Sequence, residues 1–123
     1  MKTVLVVEDT ADYAESLKFV LAQAGYHVVV AADGRAGLAE AVRLKPALIL
    51  MDLLMPEQDG VETTIKIREC DALKDIPIVF LTAVTASADA RVGVNGRQYP
   101  AISKMLDQQL ILAAVRRYMG ECL

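Results

Sequence analysis

The sequence predicts an α/β domain, a three-layer sandwich in which helices cover both faces of a parallel sheet. Two observations carry this: five short β-branched or aliphatic runs recur along the chain, and segments of helical periodicity separate them. A third supports them. The first, third and fourth runs are continuously apolar rather than alternating, as strands buried on both faces of a parallel sheet are. Strands joined by right-handed helical crossovers all point one way, so their carboxyl ends share one edge.

The five runs are TVLVV (3–7), YHVVV (26–30), ALILM (47–51), IPIVFL (76–81) and AIS (101–103). Between the first two, Leu17, Val20, Leu21 and Ala24 follow the spacing of one helix face, and Gly25 is the residue type that most readily closes a helix. After the second run, Asp33 is placed to cap a helix whose apolar positions are Leu38, Ala41 and Val42. A third helix is expected from about Val61 to Cys70. The fourth, near Ser87 to Val94, has the weakest pattern, since it contains Gly93 and stops at the turn pair Asn95-Gly96. The fifth runs from about Asp107 to Tyr118, with Ile111, Ala114, Val115 and Tyr118 on one face.

With 123 residues, 54% of them hydrophobic, the chain has material for one domain with a buried core. No repeat, low-complexity tract or linker divides it, so a single domain over residues 1–123 is expected. Thirteen basic side chains against sixteen acidic ones give a formal net charge of −3, which argues against a direct nucleic-acid surface. The apolar run in MKTVLVVED is too short for a leader or a membrane span, and a cytoplasmic location is expected. Cys70 and Cys122 lack the paired spacing of zinc or redox sites and read as free thiols. His27, the only histidine, has no triad to join.

The chemistry concentrates at the strand ends. Glu8 and Asp9 follow the first run, Asp52 the third, Thr82 the fourth and Lys104 the fifth. Each alone is an ordinary cap, turn residue or solvated charge. Together on one edge, three carboxylates repel by about 3 kcal/mol per pair at roughly 5 Å and an effective dielectric of about 20. Such a cluster calls for a cation, and hard oxygen ligands favour Mg²⁺ or a similar divalent ion such as Mn²⁺. Asp52 is expected at the rim of the sheet rather than in the core.

The stretches VVEDTAD, LILMDLLMPEQDG, VFLTA and AISK, in that order, resemble the response-regulator receiver domain of two-component signalling, and the resemblance covers essentially the whole chain. It implies the flavodoxin-like receiver fold, with five parallel strands in the order 2-1-3-4-5 and five helices. It implies that Asp52 accepts a phosphoryl group from a sensor histidine kinase, a phosphotransfer protein or a small phosphodonor. Glu8, Asp9, Asp52 and the backbone carbonyl of Leu54 would hold Mg²⁺ or Mn²⁺, with Glu8 acting largely through water. Lys104 and Thr82 would contact the phosphoryl group. The chain would be no enzyme toward a separate substrate, assisting only its own phosphorylation and dephosphorylation. It would act through a downstream protein target, without direct nucleic-acid or membrane contact, as a monomer or weak dimer.

Two positions depart from that family. Ala101 stands three residues before the lysine, where an aromatic is usual, and Met105 stands just after it in place of a proline. Tyr99 is the nearest aromatic that could replace the first. The bond before Met105 is expected to be trans, because a cis non-prolyl bond costs about 2.5–4 kcal/mol. In the loop MPEQDG, Pro56 fixes one backbone angle and Gly60 is expected to adopt a conformation other residues resist. These departures leave one alternative open: a degenerate receiver that binds a partner without being phosphorylated. A flavin-carrying relative of the fold is disfavoured, because EDTAD is the wrong charge for a bare phosphate.

Overall fold

The computed structural model describes residues 2–55, 59–83 and 90–120. In chain order the elements are β1 (Thr3–Val7), α1 (Ala11–Gln23), β2 (His27–Ala31), α2 (Gly34–Leu44), β3 (Leu48–Asp52) and α3 (Gly60–Arg68). A 3₁₀ turn (Asp71–Leu73), β4 (Ile78–Thr82), β5 (Arg91–Val94), β6 (Arg97–Ser103) and α4 (Gln108–Tyr118) follow. The sheet order is β2-β1-β3-β4-β6-β5. All neighbouring pairs are parallel except β5 with β6. With β5 set aside, this is the expected 2-1-3-4-5 arrangement of five parallel strands, the last predicted run being the end of the longer β6.

The continuous apolar runs are explained by the two layers. In β1, Val4 and Val6 face a core built with Leu17, Leu21, Ile111 and Val115 of α1 and α4. Leu5 and Val7 face the opposite core, with Ala41 of α2 and Ile67 of α3. Because successive side chains point to opposite faces and both faces are covered, every position must be apolar. The helix starts are capped as their sequences suggest: the Asp33 carboxylate accepts from Ala36 N at 2.8 Å, and Asp59 accepts from Glu62 N at 2.8 Å. Gly25, at φ +100°, ends α1. Val42 is an exception to the expected faces, being 51% exposed while α2 packs through Gly34, Gly37 and Ala41.

The expected fourth helix is corrected. Residues 91–94 form β5, which pairs with β6 through Asn95 and Gly96; residues 87–89 lie outside those described. Asn95 and Gly96 both have left-handed backbones, φ 49° and 80°, as a two-residue hairpin turn of type I′ requires. The physical reason is legible afterwards. Arg91, Val92, Gly93 and Val94 alternate at a period of two, and Asn-Gly between alternating segments is a hairpin signal as much as a helix stop. Among the described residues there are therefore four α-helices rather than five, and six strands rather than five.

Tyr99 and Ala101 share one face of β6, both packed in the core on the α2 and α3 side. Tyr99 is buried, its ring edge-on to Phe80 with centroids 5.8 Å apart, and its hydroxyl accepts from Arg68 Nε at 2.9 Å. No peptide bond among the described residues is cis, in line with the expectation for Met105. Cys70 is a free, half-buried thiol, whereas Cys122 and Pro56 lie outside the described residues. No helix among the described residues is long and apolar enough to cross a membrane.

Candidate functional site

Pairing of β1 with both β2 and β3 carries the chain to the site. Val7 lies opposite Met51, so Glu8 and Asp9 leave the sheet beside Asp52, the last residue of β3. On the other side Asp52 lies opposite Leu81, and Thr82 opposite Ser103, which places Thr82 and Lys104 along the same edge. Backbone bonds fix these ends: Glu8 N donates to Ala31 O at 2.9 Å, Leu53 N to Leu81 O at 2.9 Å, and Lys104 N to Thr82 O at 2.8 Å. All five predicted side chains, Glu8, Asp9, Asp52, Thr82 and Lys104, thus reach one edge.

Carboxylate oxygens of Glu8, Asp9 and Asp52 lie within 4.8 Å of one another. The Lys104 ammonium pairs with Glu8 Oε1 and with Asp52 Oδ1, the latter at 3.2 Å, and its Nζ stands 5.3 Å from the centre of the Tyr13 ring. Glu8 Oε2 accepts from Thr10 N at 3.0 Å. Asp52 is at the strand end, as expected, but it is 3% exposed rather than open to solvent at the rim. The Lys104 ammonium, 3.2 Å from Asp52 Oδ1, is one of the groups set against it. Asp9 is the exposed member of the three, and Thr82 is buried at the end of β4.

This crowding sets the proton affinities. Burial, then the charge of Glu8, then a hydrogen bond with Asp9 push the Asp52 carboxyl up to about 7, with Lys104 opposing. Burial pulls the Lys104 ammonium down, but its hydrogen bonds and charge contacts with Glu8 and Asp52 outweigh this and leave its pKa raised. Burial and the charges of Glu8 and Asp52 push the Tyr13 hydroxyl up to about 12. An acid whose folded pKa is raised contributes stability below its unfolded value and loses it as pH rises through the folded one. In chelator at pH 8, Asp52→Asn is therefore expected to be more stable than the wild type, by on the order of 1–3 kcal/mol after solvent screening. The gap should close by about pH 4. Urea melts across this range measure it, and a wild type as stable as the variant at pH 8 would contradict the assignment.

Three hard carboxylate oxygens, two of their side chains buried and one acid driven to about 7, fit a divalent cation, whose charge would relieve the repulsion. Leu54 sits in the turn after β3 with its side chain 75% exposed, so only its backbone faces the question of ligation.

Two further residues, Tyr13 and Ser103, shape the site without having been singled out by sequence. Tyr13 supplies the ring beside Lys104; an aromatic four residues after Asp9, on the first turn of α1, was its only trace. Ser103 Oγ accepts from Met105 N at 3.1 Å, and Leu106 N donates to Ser103 O at 3.2 Å. Met105 thus uses the N–H that a proline lacks to hold the turn after Lys104. Gly60 has a role other than the one expected. Its φ is not positive; instead a Cβ there would collide with the Asp52 carbonyl oxygen and lie 3.0 Å from Met51 Cγ. The requirement is close approach, not handedness.

Comparison with known proteins agrees with this geometry. The family model for the response regulator receiver domain matches residues 4–116. The DNA-binding dual master transcriptional regulator RpaA of Synechocystis sp. is 34% identical over 116 residues, 94% of this chain and 48% of that protein. The DNA-binding response regulator MtrA of Mycolicibacterium paratuberculosis is 34% identical over 113 residues, 92% of this chain and 49% of that protein. The chain thus spans about half the length of these relatives. Both are named for DNA binding, which does not fit the expectation of no direct nucleic-acid contact. Its reason, a net negative charge, concerns this chain's surface and not the remaining half of those proteins.

Among solved structures, the chemotaxis protein CheY4 of Vibrio cholerae superposes with a TM-score of 0.83 at 30% identity, covering 96% of this chain and 98% of that one. The receiver domain of a sensor histidine kinase from Pseudomonas aeruginosa, solved with a magnesium ion coordinated in its active-site cleft, gives a TM-score of 0.82 at 28% identity, covering 98% of each. Receiver domains bind Mg²⁺ at an acidic pocket, and this chain has an acidic cluster, Glu8, Asp9 and Asp52, at the corresponding strand ends. Fold, strand-end chemistry and sequence match converge on one conclusion: the chain belongs to the response regulator receiver domain family.

Proposed function

We propose that the chain is a phosphoacceptor in two-component signalling, taking a phosphoryl group on Asp52 from a histidine kinase or phosphotransfer protein. The observation that carries this reading is Asp52 itself, a carboxylate at the end of β3 with two further carboxylates and an ammonium around it. An oxygen of ionised Asp52 attacks the phosphorus; the phosphorus–nitrogen bond of the donor breaks, its electron pair returns to the imidazole nitrogen, and an acyl phosphate remains. A bound Mg²⁺ or Mn²⁺, held by Glu8, Asp9, Asp52 and the Leu54 carbonyl, would supply the charge that keeps Asp52 ionised and offsets the phosphoryl oxygens. Lys104 transfers its ammonium from the carboxylates to a phosphoryl oxygen, and the Thr82 hydroxyl donates a second bond. Ala83 is small enough to leave the group room.

The chain assists only its own phosphorylation and dephosphorylation, in the cytoplasm, and passes the signal to a protein target. An output on DNA, as in the DNA-binding relatives, fits this reading. Leu54, Met105 and Leu106, exposed by 75%, 74% and 43%, put apolar side chains on the two turns flanking the site, where a donor protein must dock. The test is intact-mass spectrometry after incubation with acetyl phosphate or phosphoramidate and Mg²⁺. One base-labile phosphoryl group is expected on the wild type, and none on Asp52→Asn or without metal. Phosphate on Asp52→Asn would refute the site. A wild type left unmodified by several donors would favour the degenerate receiver.

A further inference from the structure

β5 forms the outer edge of the sheet, with β6 on one side and, among the described residues, no strand on the other. The register shows which of its backbone groups are used. Ala90 O accepts from Ala101 N at 3.1 Å, Val92 lies opposite Tyr99, and Val94 lies opposite Arg97 across the two-residue turn. Backbone groups alternate in direction along an antiparallel strand, so those of Arg91 and Gly93 point away from β6. Both residues are exposed. An edge of this kind is a template for another strand.

The surrounding charge indicates which strand. Arg68, Lys74 and Arg97, with Val94 and Tyr99, line a cavity of about 180 Å³ at the end of β5. Among the described residues, the Arg68 guanidinium bonds to neutral acceptors, the Tyr99 hydroxyl and the carbonyls of Leu73 and Ile76, at 2.9, 2.9 and 2.8 Å. Arg97 stands 5.4 Å over the Tyr99 ring and donates to Lys74 O at 3.3 Å. Among the described residues, no carboxylate lies within ion-pair distance of Arg68, Lys74, Arg91 or Arg97. A chain of net charge −3 thus gathers four such cations along one edge. A second copy is a poor occupant, because pairing β5 with itself would bring two cationic sets together.

We propose that this edge docks an extended acidic segment of another protein, added as a strand beside β5 with a carboxylate seated among Arg68, Lys74 and Arg97. Backbone bonds to Arg91 and Gly93 would supply affinity, and the cations would supply selectivity. Arg68 ends the helix that Gly60 begins beside Asp52, so the cations that would seat the carboxylate lie at the opposite end of α3 from the phosphoacceptor.

The probe is an alternating Thr-Glu hexapeptide titrated into the ¹⁵N-labelled full chain, with the Thr-Lys hexapeptide as its counterpart. The Glu peptide is expected to shift the amides of Arg91, Gly93 and Asn95, and the Lys peptide to shift none. Gly93→Pro deletes an outward N–H without removing a bond to β6, so it should keep the hairpin and weaken binding by at least about tenfold. Arg97→Glu should weaken it similarly. Absence of shifts at millimolar Glu peptide, equal binding by Gly93→Pro or by the Lys peptide, or self-association of the free chain through β5 would each overturn the proposal. Phosphoryl incorporation by Gly93→Pro is expected at the wild-type level, so the two readings fail separately.

Discussion

Lys104→Ala is expected to destabilise the metal-free protein by about 3 kcal/mol at pH 8, because it leaves buried carboxylates without their cation. The Glu8 side chain is fully buried and that of Asp52 is 5% exposed, while Lys104, 17% exposed, is among the described residues the one ammonium paired with both. Removing one partner of such a cluster exposes the other charges to their full mutual repulsion in a poorly screened site. The pH dependence has a definite sign. Lys104 is charged throughout the neutral range, its pKa being raised, so its own titration contributes nothing between pH 5 and 8. Asp52, pushed up to about 7, gains its proton as pH falls and relieves the repulsion. The cost should therefore shrink at about pH 5 and shrink again in millimolar Mg²⁺ at pH 8. Urea melts of the wild type, Lys104→Ala and Lys104→Met under these conditions measure it. An equal loss at both pH values, insensitive to Mg²⁺ and absent in Lys104→Met, would mean that the packing of the side chain matters and its charge does not.

The parts of the fold visible in the sequence were those where one physical demand acts on consecutive residues. In β1, β3 and β4 the residues Val4 to Val7, Leu48 to Met51 and Ile78 to Leu81 are buried and all apolar, and the first charged or hydroxyl residue after each run marks the strand end. The candidate site followed from this, because the marked residues Glu8, Asp9, Asp52, Thr82 and Lys104 are the ones that the sheet brings to one edge. β5 was missed because its pattern is four residues long and its turn pair reads equally as a helix stop. The burial of Asp52 was not legible either. It depends on the Lys104 side chain crossing from the end of β6, a contact between residues 52 positions apart that no local pattern encodes.

Tyr99 shows the same limit from the other side. Its position two residues before Ala101 made it the nearest substitute for a mobile aromatic, and the regular β6 does put both on one face. Its ring, however, packs edge-on to Phe80 with Arg68 and Arg97 at 5.3 and 5.4 Å, and its hydroxyl is bound by Arg68. Arg68 in turn holds the loop carbonyls of Leu73 and Ile76. Swinging Tyr99 outward would break a network tying α3 to the turn before β4, so a shift at Thr82 is opposed here by more than the packing of one ring.

Gly60→Ala is expected to reverse the usual effect of adding a methyl group to a helical glycine. In an open helix the change stabilises by about 0.5–1 kcal/mol, by restricting the unfolded chain. Gly60, however, opens α3 against the end of β3, with its N–H donating to Leu53 O at 3.0 Å. A Cβ there would overlap the Asp52 carbonyl oxygen and approach its carbonyl carbon to 3.1 Å. These atoms are backbone, held by the Leu53 bond to Leu81 O at 2.9 Å and by the strand itself, and cannot rotate away as a side chain can. The start of α3 must lift instead, at a cost of about 2–3 kcal/mol for forced overpacking. The displaced turn is the one that carries Asp52, Leu53 and Leu54, so phosphoryl incorporation should slow in the same variant, by about tenfold or more, because nucleophile placement tolerates little error. Urea melts and the rate of phosphoryl incorporation from phosphoramidate measure the two effects. A variant as stable as the wild type would show that the approach of α3 to Asp52 is looser than the geometry here.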